Sequence, residues 1–149
     1  MVMNKFKLFL SFCLIVSVCA AQNKSEANKI LGLWQTGSGK GRIQITAYGD
    51  KFGGKLVWLR EPLDEKGQPK CDIKNPDPVK RKNPKIGLNN LLGFTYEGNG
   101  KYENGTIYDP ENGKTYKCVM SLENDSVLKV RGYIGITMVG RTDVWKRVK

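Results

Sequence analysis

Short runs in which apolar and polar residues alternate constrain the fold of this chain most. In one run, Ile43, Ile45 and Ala47 alternate with polar neighbours, which is the period of a strand with one buried face. Turn signals separate the runs, and the clearest are Gly49-Asp50 and the Asp-Pro-Glu-Asn-Gly segment at 109–113. Helical periodicity is weak throughout. The sequence therefore predicts an all-β domain.

The predicted strands follow one another through mostly tight turns. They cover residues 32–36, 42–47, 51–59, 91–97, 101–108, 116–122, 126–134 and 139–148. About eight antiparallel strands close naturally into an up-and-down barrel, whose interior holds side chains or one small ligand. A β-sandwich is the alternative, but sequential hairpins favour the barrel. Gly53-Gly54 predicts a bulge or kink in the third strand.

One long segment, residues 60–90, interrupts the strand pattern. It holds five of the six prolines, and loops of this length in compact domains usually have a function. We therefore expect a lid or binding loop here, with a short helical turn near residues 86–92.

The first residues have the composition of a secretory signal. Lys5 and Lys7 precede an apolar run, Leu8 to Val18, which is too short to span a bilayer as a helix. We expect a cleaved signal peptide at 1–21, a polar lead at 22–29 and one barrel domain at 30–149, exported to the periplasm or secreted. Cys19 leaves lipidation open as an alternative to simple cleavage, although Val18 is larger than the residue that usually precedes a lipidated cysteine.

The chain is strongly basic, with a formal net charge of +11, or +9 once Lys5 and Lys7 are removed with the signal. Such a charge supports solubility and favours anionic partners, such as lipid headgroups or acidic glycans of a cell envelope. No nucleic-acid recognition motif is present, so nucleic acid is not an expected partner.

Two cysteines, Cys71 and Cys118, remain after the signal. In an oxidising compartment they form either a disulfide that ties the long loop to a strand, or two unrelated thiols. The chain contains no histidine, so we expect neither a metal site nor a histidine general base. No cofactor motif is present either.

The acidic residues of the long loop are the remaining catalytic candidates. Asp64, Asp72 and Asp77 lie among prolines and lysines, where turn capping is the usual role of an aspartate. We expect a protein that is not an enzyme. A hydrolase or transferase that uses Asp with Tyr or Lys groups is the least favoured alternative.

The two ends of the barrel sequence hold residues suited to closing it. Gly32 and Trp34 stand on the first predicted strand, while Arg141, Trp145 and Arg147 stand on the last. Since first and last strands are neighbours in a closed barrel, Arg141 or Arg147 is expected to cover Trp34. An early Gly-x-Trp and a late arginine resemble the signature of lipocalin-like barrels.

Longer motifs carry a more specific resemblance. They are Val57 to Pro62, Asn75 to Pro78, Ile86-Gly87-Leu88, Leu92-Gly93-Phe94, Ile107 to Tyr116, Val130 to Gly135 and Gly140 to Trp145. Together they resemble the bacterial exported family called domain of unknown function 2147. The resemblance implies a lipocalin-like barrel and no established reaction. One departure is that Asn89-Asn90 follow Gly87-Leu88, and an arginine expected near Asn83-Pro84 is lost or replaced by Arg81-Lys82.

The expected function is that of a carrier or sensor. Its ligand candidates are Trp58, Tyr108, Arg131 and Tyr133, polar and aromatic residues suited to a small amphipathic molecule. The alternative is an envelope-associated interaction protein that binds anionic glycan or lipid headgroups through its basic surface.

Overall fold

The computed structural model describes residues 21–136 and 138–149. The predicted signal peptide and Cys19 lie outside these residues, except for Ala21. Residues 21–27 are helical, and a short 3-10 helix, Asn28–Ile30, leads into the first strand. Within the described part of the chain, eight strands follow: β1 (Gly32–Gln35), β2 (Gly41–Tyr48), β3 (Lys51–Leu59), β4 (Asn89–Gly98), β5 (Lys101–Asp109), β6 (Lys114–Asn124), β7 (Val127–Tyr133) and β8 (Gly140–Arg147).

The strands form a closed, antiparallel, up-and-down barrel, as the sequence predicts. Each strand pairs with its neighbours in the chain, and β8 returns to β1 with Trp34 opposite Arg147. This closure excludes the β-sandwich. The register of β3 against β4 shifts on both sides of Gly54, where the sequence predicts a bulge.

The long loop corrects one expectation. The predicted helical turn at 86–92 is wrong, because Asn89 already begins β4. The loop instead contains a 3-10 helix, Pro78–Lys82, which Asp77 caps by accepting a hydrogen bond from Val79 N at 3.0 Å. Proline at the first helical position and aspartate at the N-cap explain why the turn forms there.

The barrel has two different ends. The helix end holds residues 21–31 and the turns at 49–50, 99–100 and 125–126. The loop end holds the turn 36–40, the long loop 60–88, the turn 110–113 and the β7–β8 loop, described at residues 134–136 and 138–139.

The barrel interior towards the helix end is filled by large side chains. The buried apolar cluster comprises Ala27, Ile30, Trp34, Ile43, Ile45, Phe52, Leu56, Leu91, Phe94, Tyr102, Cys118, Met120, Leu128, Val130 and Trp145. Burying each large side chain is worth about 1.5–3 kcal/mol. The Tyr102 hydroxyl donates to Ala27 O at 2.7 Å, so the polar atom of this tyrosine also attaches the N-terminal helix to the barrel.

Candidate functional site

Trp58, the first predicted ligand residue, lies on the outer face of the barrel. Arg42 is its partner on β2, and the Arg42 guanidinium carbon stands 4.4 Å from the centre of the Trp58 ring. Arg42 Nε also donates to Gln35 Oε1 at 3.0 Å. Because Ile43 and Trp34 are the buried neighbours of Arg42 and Gln35, strand alternation turns this cluster outwards.

Tyr108 also faces outwards, where it attaches the long loop. Its hydroxyl donates to Asp72 Oδ1 at 2.8 Å, and Asn75 Nδ2 donates to Asp72 Oδ2 at 2.7 Å. Asp72 is only 1% exposed, so these two donors replace the water that a carboxylate needs. Burial, followed by the hydrogen bond to Asp72, raises the pKa of Tyr108 to about 12. The pair therefore anchors a loop.

Arg131 and Tyr133 occupy the outer face of β7. Their neighbours Val130 and Gly132 point inwards, since Val130 is buried and a Cβ at Gly132 would contact Ile107 and Tyr116. Arg131 donates to Thr142 Oγ1 at 2.9 Å and to Met138 O at 3.1 Å. The four predicted ligand residues are thus distributed over the outer wall and do not converge on one site.

Arg147, rather than Arg141, covers Trp34. Its guanidinium carbon lies 4.2 Å from the Trp34 ring centre, and it donates to the carbonyl oxygens of Leu31, Lys29 and Asp125. Trp34 is fully buried and donates its Nε1 to Ile30 O at 2.8 Å. These contacts close the helix end.

The other two predicted closure residues lie further along β8. Arg141 stands opposite Gly132, at the loop end of the barrel. Trp145 is buried, and its Nε1 donates to Asp143 Oδ2 at 2.8 Å; the same oxygen accepts from Gly37 N at 3.2 Å. Asp143 therefore ties the β1–β2 turn to β8.

A second set of inward positions lines the barrel towards the loop end. Ile107 and Tyr116 are half-buried, and both would contact a Cβ at Gly132. Asn112 Nδ2 donates to the Tyr116 hydroxyl at 2.9 Å. Arg141 follows the same inward alternation as Trp145 and is exposed. Small and half-buried residues at this end contrast with the filled interior at the helix end.

Asn90 has an unsatisfied polar atom at the start of β4, where it precedes the inward-facing Leu91. Its Oδ1 is buried and accepts no hydrogen bond from residues 21–136 or 138–149. A buried acceptor without a partner is costly, and in native proteins it commonly meets a ligand or a water molecule. In the sequence, Asn89-Asn90 stand out only as a departure from the family pattern, which predicts no role for them. Tyr116 was detectable, because it alternates in phase with Cys118 and Met120.

Of the two alternatives for the cysteines, the structure has the free thiols rather than the disulfide. Cys118 points into the filled interior, where burial raises the pKa of its thiol to about 12. Cys71 lies in the long loop, pairs with Pro84 and donates its Sγ to Pro69 O. The Cys118 side chain points into the barrel, whereas Cys71 lies in a loop beyond the ends of the strands. The fold therefore does not bring the two sulfur atoms together.

Two of the three loop aspartates cap turns. Asp64 Oδ1 accepts from Lys66 N and Gln68 N, both at 2.9 Å, and Asp77 caps the 3-10 helix. Asp72 departs from this pattern through its contact with Tyr108. In the described ranges, no group of three or more His, Cys, Asp or Glu side chains is placed to hold a metal ion. Nor does any helix in this part of the chain have the length and apolarity to cross a membrane.

A solved structure supports the barrel assignment. The chain is similar to protein HP1028 from the human pathogen Helicobacter pylori, which is described as belonging to the lipocalin family. The TM-score is 0.70 at 21% identity, over 80% of this chain and 83% of that chain. This likeness establishes a lipocalin-like fold. No curated protein shows significant similarity to the sequence.

The family model described as an uncharacterized protein conserved in bacteria (DUF2147) matches residues 32–147. That match runs from the first residue of β1 to the last residue of β8, so it covers the entire barrel. The chain therefore belongs to the family called domain of unknown function 2147.

Proposed function

We propose that this protein is an exported, non-enzymatic carrier or sensor that binds a small amphipathic molecule at the loop end of its barrel. The observation that carries the proposal is the uneven filling of the interior. Large buried side chains occupy the helix end, whereas Gly132, Ile107 and Tyr116 leave the loop end lined by small or half-buried residues. Concave apolar sites with a few polar groups are typical ligand sites.

The lining indicates the chemistry of the ligand. Ile107 and Tyr116 offer apolar surface, and Arg141 offers a positive charge at the mouth. An elongated apolar molecule with an acidic head would match both. The lipocalin-like fold supports this class of ligand, since eight-stranded barrels of this kind are wide enough for one small ligand.

Native mass spectrometry and organic extraction of protein purified from its own host test the proposal directly. We expect an amphipathic molecule to co-purify in a one-to-one ratio. The same samples report on export, because the intact mass shows whether a segment near residues 1–21 has been removed.

A binding assay with anilinonaphthalene sulfonate, an anionic apolar probe, localises the site. Gly132→Leu fills the loop end without a backbone clash, since a Cβ there meets its nearest atom at 3.4 Å. We expect this variant to weaken probe binding by about 10-fold or more, equivalent to ~1.4 kcal/mol. Thr115→Leu, on the exposed outer face, is the matched control.

The contribution of the Arg141 charge is tested with the same anionic probe. Arg141→Gln should weaken binding of the anionic probe, whereas Lys146→Gln, which removes an outward and exposed cation on the same strand, should not. Equal binding by all four variants, together with protein that carries no extractable ligand, would refute the proposal.

A further inference from the structure

The β7–β8 loop exposes an unusual number of large apolar side chains. Ile134, Ile136, Met138 and Val139 are each more than half exposed, and Met138 reaches 84%. Backbone hydrogen bonds hold the loop in this form, since Ile134 N donates to Val139 O and Val139 N donates to Ile136 O. The apolar side chains are therefore displayed on a hydrogen-bonded turn, with the outer-face contact of Arg131 to Met138 O as a further support.

The long loop presents a second apolar group beside positive charges. Val79 is 83% exposed on the 3-10 helix, and the next three residues are Lys80, Arg81 and Lys82, all exposed. Other exposed apolar side chains in this loop are those of Leu63, Ile73 and Ile86. The 3-10 helix is fixed in place by its cap at Asp77 and by Arg81 Nε, which donates to Asn75 O at 2.8 Å.

Both groups lie at the loop end, because β3 and β7 run in the same direction in an up-and-down barrel. Other exposed apolar residues belong to the outer wall. Tyr48, Val57 and Leu92 line one surface pocket over β2, β3 and β4, where the Tyr48 hydroxyl accepts from Gly93 N, and Val144 lies apart from them on β8. A concentration of exposed apolar side chains at one end marks an interaction surface.

We propose that the loop end docks on an anionic lipid bilayer, with the side chains of Val79, Ile134, Ile136, Met138 and Val139 entering the headgroup region and Lys80 to Lys82 contacting lipid phosphates. Apolar side chains next to lysine and arginine are the pattern of surfaces that lie on membranes. An acidic glycan would pair the cations but leave the apolar side chains in water. A second copy of the chain would cover the apolar side chains but bring two cationic segments together.

Docking of this kind uses side chains that point out of the barrel, so it does not depend on ligand binding inside it. The test is co-sedimentation of purified protein with vesicles of phosphatidylcholine alone and with vesicles of equal parts phosphatidylcholine and phosphatidylglycerol. The protein is produced from the full sequence, and its intact mass first establishes where the purified chain begins. We expect binding to the anionic vesicles only, weakening as salt is raised.

Two variants separate the apolar contribution from the charge. Ile136→Ser with Met138→Ser should weaken vesicle binding by about 10-fold or more. Its matched control is Leu92→Ser with Val144→Ser, which removes two exposed apolar residues from the wall. Vesicle binding that is equally strong in these two double variants would overturn the proposal.

The charge variant replaces Lys80, Arg81 and Lys82 with glutamine. We expect at least a 10-fold loss of vesicle binding, since each cation at an anionic surface contributes severalfold. The control replaces Lys51, Lys101 and Lys146 with glutamine. These three exposed lysines lie at the helix end, so the control removes the same number of charges from the opposite end of the barrel. An equal loss in both triple variants would indicate unspecific attraction and overturn the docking face.

One further result would assign the surface to another occupant. Sedimentation velocity that shows a dimer of the wild-type protein, dispersed by Ile136→Ser with Met138→Ser, would replace the bilayer with a second copy. Absence of wild-type binding to anionic vesicles would also overturn the proposal. Circular dichroism and thermal unfolding of every variant establish that a loss of binding is not a loss of folding.

Discussion

Arg147→Ala should destabilise the protein by about 3 kcal/mol, because Arg147 closes the helix end. The cation–π contact with a fully buried tryptophan is worth about 1 kcal/mol. The hydrogen bond to Leu31 O is partly buried and charge-assisted, which makes it worth about 1.5 kcal/mol. The bonds to Lys29 O and Asp125 O are exposed, and water replaces most of what they contribute.

Urea unfolding followed by circular dichroism measures this loss. With a slope of about 1.5 kcal/mol per molar urea, the midpoint should fall by about 2 M. Lys146→Ala is the matched control, because Lys146 is the preceding residue and is exposed. If Arg147→Ala costs no more than the control, below about 0.5 kcal/mol, Arg147 does not hold the barrel closed and the reasoning from its contacts is refuted.

Gly32 provides an independent check on the same contact. It has φ +134°, and a Cβ there would stand 2.6 Å from Arg147 Nη1. Gly32→Ala should therefore destabilise the protein through both backbone strain and collision with the guanidinium. In a double-mutant cycle, removal of Arg147 should relieve the collision but leave the strain. Strict additivity of the two substitutions would contradict this geometry.

Three further predictions concern the interior and the long loop. Burial raises the pKa of the Cys118 thiol from 9.0 to about 12, so the contribution of this thiol to stability should be constant well below pH 9 and fall as pH rises further; Cys118→Ala should reduce this dependence in urea titrations across pH. Gly105→Ala should cost about 1–3 kcal/mol, because its Cβ would stand 2.5 Å from the Phe94 ring, and Phe94→Leu should recover part of that loss. Tyr108→Phe should cost about 1–3 kcal/mol and speed proteolysis of the long loop, because Asp72 loses a donor.

The strand pattern was predictable because it is local. Ile43 and Ile45 alternate with polar residues, and turns such as 49–50 interrupt the pattern, so the order and approximate bounds of the strands follow from neighbouring residues. The 3-10 helix at Pro78–Lys82 also has a local signal, the Asp77-Pro78 pair, whereas the apolar residues at 86–92 lead into β4. Those residues are apolar because Leu91 enters the core on β4.

The candidate site was less predictable, since a period of two assigns residues to faces without saying which face is inside. Trp58 and Tyr108 are aromatic and therefore suggested an interior site, but a bulge in the pairing of β2 with β3 and the position of Asp72 place them on the outer wall. The phase of β6 was better defined, because Cys118 and Met120 are apolar and adjacent to Tyr116 in the same alternation. The aromatic residue types therefore gave a wrong expectation, whereas the phase of the strand alternation would have been informative.

The contrast between the two ends has a consequence for how substitutions divide between stability and binding. Trp34 and Arg147 combine burial with hydrogen bonds at the helix end, so changes there should alter the free energy of unfolding and leave the exposed surface as it is. The apolar and cationic side chains of the loop end, such as Met138 and Lys82, are exposed and contribute little buried area to the folded state. Replacing them can alter interactions at almost constant stability. Side chains that add so little to folding, yet are apolar and presented on hydrogen-bonded turns, are better explained by what they contact outside the chain than by the barrel itself.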